Sequence, residues 1–80
     1  MEKKRVFLTR TLHDFAVKEL RKKYRIEIHS GKIPISKTKL RTKIGNVEGL
    51  ICFPYDKIGS DLIDIAKNLK VISTYSVGFD

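Results

Sequence analysis

The residues with the clearest chemical potential are Ser76, Val77 and Gly78, near the end of the 80-residue sequence. A glycine lets a backbone approach a ligand closely, and free N–H groups at a turn bind anions. The tripeptide directly follows residues 71–75, whose β-branched side chains predict a strand. Taken alone, the glycine is more simply explained as a turn residue, so the candidate anion site needs support from the fold.

The other reactive side chains form no recognisable constellation. Cys52 lies inside an apolar run, which predicts a buried small hydrophobe rather than a nucleophile. His13 and His29 have no cysteine or second histidine at metal-ligand spacing, so no metal site is expected. Asp61 and Asp64 are explained by the positive end of a predicted helix. The sequence contains no Gly-x-Gly-x-x-Gly, P-loop or Gly-x-Ser-x-Gly motif.

The net charge of +8 is concentrated in the first part of the chain. Residues 1–44 carry 14 Lys/Arg and 4 Asp/Glu, a balance of +10, whereas residues 45–80 carry 3 and 5, a balance of −2. A basic half can indicate nucleic-acid binding, but most of these charges fall on the outward faces of predicted helices. The aromatic residues also look internal. We therefore expect solvated helix faces and no nucleic-acid partner.

Cysteine usage and apolar runs indicate the cellular setting. A single cysteine, Cys52, excludes an internal disulfide and fits a reducing, cytoplasmic setting. No stretch approaches the ~20 apolar residues of a membrane helix. The charged residues 1–5 precede only Val6-Phe7-Leu8, which is too short for the apolar region of a signal peptide. We expect a soluble intracellular protein with no membrane partner.

The first half of the chain predicts strand, helix, edge strand and helix. Residues 5–9 form a short apolar strand, and Thr11 should cap the helix that follows. Residues 24–29 alternate apolar and polar side chains, which is typical of a half-buried edge strand. Ser36 should cap a second helix that stops at Gly45-Asn46. The predicted inner faces of the two helices are Leu12, Phe15, Ala16 and Leu20, and then Leu40 and Ile44.

The second half predicts a central strand, a third helix and a fourth strand. Residues 49–53 are almost continuously apolar, as in a parallel strand buried on both faces, and Pro54 closes the run. Gly59 or Ser60 should start the third helix. The fourth strand, residues 71–75, is too apolar for an exposed edge, so it should be covered or paired. The predicted inner face of the third helix is Leu62, Ile63, Ala66 and Leu69.

The element order β-α-β-α-β-α-β predicts an α/β protein with a parallel sheet and right-handed crossovers. The edge character of the second strand favours a flavodoxin-like, three-layer fold with strand order 2-1-3-4, and the apolar fourth strand indicates that this fold is incomplete. Ligands of open α/β sheets bind beyond the carboxyl ends of the strands. The loops that leave those ends are Arg10-Thr11, residues 53–56 and Ser76-Val77-Gly78, and the last is the best candidate for an anion site.

The segment NLKVISTYSVGFD, residues 68–80, closely resembles the D-isomer-specific 2-hydroxyacid dehydrogenases, and among them the glyoxylate/hydroxypyruvate reductases. Upstream, Val6–Arg10 resembles the family's first strand, Ile33-Pro34 the dipeptide before its second helix, and Gly49–Cys52 its third strand. Leu62-Ile63 with Ala66 resembles its third helix. The resemblance covers essentially the whole of residues 1–80, and its most specific part is the last segment.

The resemblance implies that residues 1–80 are the N-terminal segment of a substrate-binding domain. The complete enzyme would reduce a small 2-oxoacid, such as glyoxylate or hydroxypyruvate, with NAD(H) or NADP(H). The backbone N–H groups of Val77 and Gly78 would hold the substrate carboxylate, with Ser76 flanking them. Phe53 and Pro54 would line the pocket for the substrate side chain.

The family's remaining functional parts have no counterpart in this sequence. Its NAD(P)-binding Rossmann domain, its substrate-clamping arginine and its glutamate-assisted histidine all lie further along the chain. The resemblance therefore implies no catalytic and no cofactor-binding residue here, and we expect the 80 residues alone to bind no cofactor and to be inactive as a dehydrogenase. The expected partners are the substrate and the rest of the enzyme. The alternative is a stand-alone flavodoxin-like binding or regulatory domain, which a homodimer interface over the fourth strand would complete.

Overall fold

A computed structural model describes residues 3–56 and 58–74 as a single parallel sheet with flanking helices. The predicted strand order is confirmed, because the strands lie in the order β2-β1-β3-β4 and each pairs in parallel with its neighbour. None of the helices in the described ranges is long and apolar enough to cross a membrane. The elements are β1 (Lys4–Leu8), α1 (Asp14–Lys23), β2 (Tyr24–Ile28), α2 (Lys37–Ile44), β3 (Gly49–Cys52), α3 (Ser60–Ile65) and β4 (Val71–Thr74).

The central strand β1 separates two apolar layers. Successive side chains of a strand point to opposite faces, so Phe7 packs with α2 and α3 while Val6 and Leu8 pack towards α1. Phe7 and Leu8 are both fully buried. The larger layer also contains Leu40, Ile44, Val47, Leu50, Leu62 and Ala66. This double burial explains why β1 reads as an apolar run rather than as an alternating one.

Helix α2 confirms the predicted cap, inner face and stop. The Ser36 hydroxyl accepts a hydrogen bond from the Lys39 N–H at 3.2 Å, which satisfies one of the free donors of the first turn. Leu40 and Ile44 are buried in the larger layer. The helix ends at Ile44, and Gly45 follows with a right-handed φ of −64°. The helix therefore does not end through a left-handed glycine conformation.

Helix α1 begins later than the sequence predicts. The N-cap is His13 rather than Thr11, and the His13 Nδ1 accepts a hydrogen bond from the Phe15 N–H at 3.4 Å. The prediction that Phe15 lies on the inner face is wrong, because its side chain is 68% exposed. Leu12, just before the helix, and Leu20, in its last turns, pack on the sheet instead. The later start leaves Phe15 in the first turn, away from the strands.

Helix α3 is a short element that buries a narrow face. Leu62 and Ala66 are buried as predicted, but Ile63 is 49% exposed and its predicted inward position is wrong. The helix ends at Ile65, so Ala66 and the partly buried Leu69 reach the core from the segment that follows it. With fewer than two turns, the helix presents one residue to the sheet where a longer helix would present a stripe.

Strand β4 is the second edge of the sheet in the described part of the chain. It pairs only with β3 there, and Val71 and Ile72 are 59% and 38% exposed. The cover that its apolar sequence predicts is therefore not supplied by residues 3–56 and 58–74. At the opposite edge, β2 shows the predicted alternation, with Ile26 buried between exposed Arg25 and Glu27.

Candidate functional site

The carboxyl ends of β1 and β3 lie side by side. Leu8 pairs with Ile51 across the two strands, and the Thr9 N–H donates to the Ile51 carbonyl oxygen at 3.1 Å. The residues that continue each strand are thereby brought together, with Thr9 and Arg10 on one side and residues 53–56 on the other. This edge is where parallel α/β sheets bind ligands.

The Asp56 carboxylate fastens the loop after β3 to the end of β1. Its Oδ2 atom accepts hydrogen bonds from the Phe53 N–H, at 2.7 Å, and from the Thr9 hydroxyl. The Asp56 N–H in turn donates to the Phe53 carbonyl oxygen at 2.9 Å, which closes a tight turn. Thr9 is 1% exposed, and within the described residues its hydroxyl has this carboxylate as its partner. We call this set of contacts the Asp56 clamp.

The second carboxylate oxygen of Asp56 could accept a further hydrogen bond. Its Oδ1 atom is buried and has no hydrogen-bond partner within the described ranges. Native structures pair nearly all of their buried polar atoms, so an unpaired one is a feature to be explained. The atom belongs to the loop that the family resemblance assigns to the substrate pocket, and it is the one buried side-chain oxygen or nitrogen without a partner in residues 3–56 and 58–74.

Arg10 is held over the same loop by two aromatic side chains. Its guanidinium carbon lies 5.6 Å from the centre of the Phe53 ring, and Nη1 donates to the Tyr55 hydroxyl at 3.0 Å. The two rings stack, with centroids 5.8 Å apart and planes inclined by 9°. Cations are attracted to the faces of aromatic rings, so the loop positions the guanidinium without neutralising its charge.

The structure describes some of the predicted site residues and not others. Phe53 is 6% exposed and lies under Arg10, whereas Pro54 is exposed. Ser76, Val77 and Gly78 lie outside the described residues, so their proposed contacts with a carboxylate stay predictions. Cys52 is buried as predicted, and its thiol lies 3.7 Å from the Ser73 carbonyl oxygen.

Four side chains of this edge were not assigned roles from the sequence. They are Thr9, Arg10, Tyr55 and Asp56, which make the clamp and the aromatic contacts. Their position immediately after two central strands was enough to predict that these loops lie at the carboxyl edge. It was not enough to predict which side chains of the two loops contact one another. Their pairing depends on the neighbouring positions of β1 and β3 in the sheet.

Residues 6–80 match the family model of the D-isomer specific 2-hydroxyacid dehydrogenase catalytic domain. The chain therefore belongs to the D-isomer-specific 2-hydroxyacid dehydrogenase family. Its sequence is 38% identical over 81 residues to a glyoxylate reductase from Thermofilum pendens and 30% identical over 78 residues to one from Thermococcus onnurineus. These alignments cover 100% and 98% of this chain but 24% and 23% of the relatives, so the chain spans about a quarter of their length.

Solved structures give the same fold. A crystal structure from Pyrococcus horikoshii superposes with a TM-score of 0.83 at 32% identity, over 98% of this chain and 22% of that one. A putative D-isomer specific 2-hydroxyacid dehydrogenase from a Polaromonas species superposes with a TM-score of 0.86 at 24% identity, over 98% of this chain and 25% of that one. The second likeness concerns the fold alone, and it agrees with the incomplete flavodoxin-like arrangement.

Proposed function

We propose that residues 1–80 form the N-terminal segment of the substrate-binding domain of an NAD(P)-dependent 2-hydroxyacid dehydrogenase. The proposed reaction is the reduction of a small 2-oxoacid, such as glyoxylate or hydroxypyruvate, in the cytoplasm. The observation that carries the proposal is the Asp56 clamp, which fixes Phe53 at the carboxyl edge of a sheet whose sequence matches the family. The proposed partners are the substrate and the rest of the enzyme.

The residues of this chain bind and orient the substrate in the proposal. The N–H groups of Val77 and Gly78 hold the carboxylate, and Ser76 flanks them. Phe53 and Pro54 form an apolar wall against the far end of a small substrate. The Phe53 backbone N–H is hydrogen-bonded to Asp56 and its ring stacks on Tyr55, so in the proposal the ring is held in place and limits the size of the pocket.

The residues present do not fit a nicotinamide cofactor. The five glycines of the sequence never occur at the Gly-x-Gly-x-x-Gly spacing that brings a backbone close to a pyrophosphate. NAD(H) or NADP(H) would therefore be held by another part of the enzyme, where it supplies the hydride. The residues of this chain would orient the substrate carbonyl group that is reduced.

A chimeric enzyme tests the proposal directly. We expect that residues 1–80, placed in the Thermofilum pendens glyoxylate reductase in exchange for its aligned segment, will give an active reductase. The kcat/KM should lie within about 100-fold of the unmodified enzyme, since a misplacement of about 1 Å costs that much. The measurement is the loss of reduced nicotinamide absorbance with glyoxylate and with hydroxypyruvate.

The 80-residue chain alone is the matched control in the same assay. It should show no turnover, because hydride transfer needs the cofactor and the proton donor at contact distance. A correctly folded chimera that reduces neither substrate would contradict the proposed function. Turnover by the isolated chain would contradict the division of roles between this segment and the rest of the enzyme.

A second candidate function is a stand-alone flavodoxin-like binding domain that forms a homodimer. It is favoured by the exposed Val71 and Ile72 on the edge strand β4, because unpaired edges readily pair with another chain. In that case sedimentation velocity should detect a dimer, and Ile72→Lys should convert it to a monomer. A well-folded, strictly monomeric chain would rule out this candidate.

A further inference from the structure

Two arginines lie side by side at the amino end of the sheet, away from the proposed substrate pocket. Arg5 on β1 and Arg25 on β2 are directly paired in the parallel register. Neighbouring strands are about 4.8 Å apart, so the two side chains leave the sheet next to each other. Arg5 shares a face with Phe7 and therefore points to the side that α2 covers. Thr9 is four positions further along, which puts this arginine pair roughly 13 Å from the Asp56 clamp.

Neither guanidinium of the arginine pair forms an ion pair with a carboxylate in residues 3–56 and 58–74. Glu27, on the same face of β2, is bound to Lys43 instead. The Glu48 carboxylate accepts a hydrogen bond from the Arg5 backbone N–H at 3.0 Å, from the β3 side of the strand, and not from its guanidinium. Two like charges held this close repel each other, so an anion bound between them would relieve a cost of the fold.

The arginine pair lines an open cavity between helix α2 and the edge of the sheet formed by β1 and β2. The volume of this cavity is about 340 Å³, within the range of about 300–1,000 Å³ that small-molecule sites have. Its opposite wall includes Thr42, Lys43 and Asn46. The charged residues of the lining are three cations and one carboxylate, a net charge of +2. A single dianion would therefore neutralise the cavity.

A second open cavity continues the first along α2. It has a volume of about 420 Å³, and both cavities are lined by Thr42 and Lys43. The second cavity is also lined by Ser30, Thr38 and Lys39. Because these side chains carry hydroxyl and ammonium groups, the organic part of an anion bound at the arginine pair would find hydrogen-bond partners there for hydroxyl groups of its own.

We propose that the arginine pair is the phosphate subsite of a binding site for a small phosphate monoester that carries hydroxyl groups. The planar donor forks of two arginines match the oxygen atoms of a phosphate, and a phosphate monoester carries a charge of about −1.5 to −2 at pH 7. A carboxylate would neutralise only half of the charge of the cavity. The site lies at the opposite end of the sheet from the proposed substrate pocket, so its ligand would bind together with a substrate rather than compete with it.

Titration of the 80-residue chain with glycerol 3-phosphate tests the inference. The ionic strength is held constant, because salt screens exposed charges. The backbone amide resonances of Arg5, Arg25 and Asn46, followed by nuclear magnetic resonance, should shift and saturate at millimolar ligand. Glycerol, which lacks the phosphate, should cause no shift. Inorganic phosphate should bind at the same residues more weakly, since it leaves the second cavity empty, and an equal or higher affinity for it would overturn the assignment of an ester.

Two matched variants separate a specific site from a general attraction of anions to a basic protein. Arg25→Met and Arg41→Met each remove one exposed positive charge, but Arg41, on α2, lines neither cavity. Arg25→Met should weaken the binding of glycerol 3-phosphate by about 5- to 20-fold, whereas Arg41→Met should change it by less than about twofold. Arg25→Lys keeps the charge without the donor fork, so its affinity should lie between those of the unmodified chain and Arg25→Met.

Two outcomes would overturn the phosphate subsite while leaving the proposed reductase function intact. Equal weakening by Arg25→Met and Arg41→Met would mean that affinity follows the net charge of the chain. No shift at Arg5 and Arg25 with millimolar ligand would mean that the arginine pair only protects the edge strand β2 from pairing with another chain. Circular dichroism should show that both variants fold, because neither side chain is buried.

Discussion

Replacing Leu62 with alanine is expected to lower the free energy of unfolding by about 2–5 kcal/mol, the usual range for a buried leucine. Leu62 is fully buried in the layer that contains Phe7 and Leu50, and the short helix α3 has no other buried residue. Proteins are stabilised by roughly 0.05–0.15 kcal/mol per residue, so for 80 residues this loss is a large fraction of the total. Urea unfolding followed by circular dichroism measures it.

The adjacent Ile63 provides a matched control for the Leu62 experiment. Its side chain has the same number of carbon atoms and lies on the same helix, but it is 49% exposed. Ile63→Ala should therefore cost less than about 1 kcal/mol, as is usual for surface positions. Equal losses for the two variants would mean that α3 presents a different face to the sheet from the one described.

Removing the Asp56 carboxylate is expected to destabilise the carboxyl edge by about 2–4 kcal/mol. Asp56→Ala deletes the acceptor for the Phe53 N–H and the Thr9 hydroxyl, and a hydrogen bond to a charged group contributes about 1.5–3 kcal/mol. It also leaves the buried Thr9 hydroxyl without its partner. Thr9→Val keeps the shape and removes only one of the two bonds, so it should cost about 1 kcal/mol.

Asp64→Ala is the control variant, because it removes a carboxylate that is not part of the Asp56 clamp. Asp64 is exposed on α3, and the variant should change the free energy of unfolding by about 0.5 kcal/mol or less. In the chimeric reductase, Asp56→Ala should also raise KM, because the Phe53 backbone loses its hydrogen bond to the carboxylate. Full stability and unchanged KM in this variant would show that the Asp56 clamp does not position the loop.

The sequence by itself determined the architecture of this protein. Apolar runs on β1 and β3 placed these two strands inside the sheet, and the alternation on β2 placed that strand at an edge, because side-chain period and burial are local consequences of strand geometry. The Ser36 cap and the buried Leu40 and Ile44 followed from helical spacing in the same way. The family was also identified from the sequence, through its last segment, and residues 6–80 confirm it.

Only the tertiary structure decided which side chains meet at the carboxyl edge. Thr9 and Asp56 are 47 positions apart, and Arg10 and Tyr55 are 45 apart, so no local pattern records their contacts. Pairing of β1 with β3 brings them together, and the register of that pairing sets which residues face one another. The exposure of Phe15 and Ile63 was decided in the same way, since a helix face is fixed by where the helix starts and how it lies on the sheet.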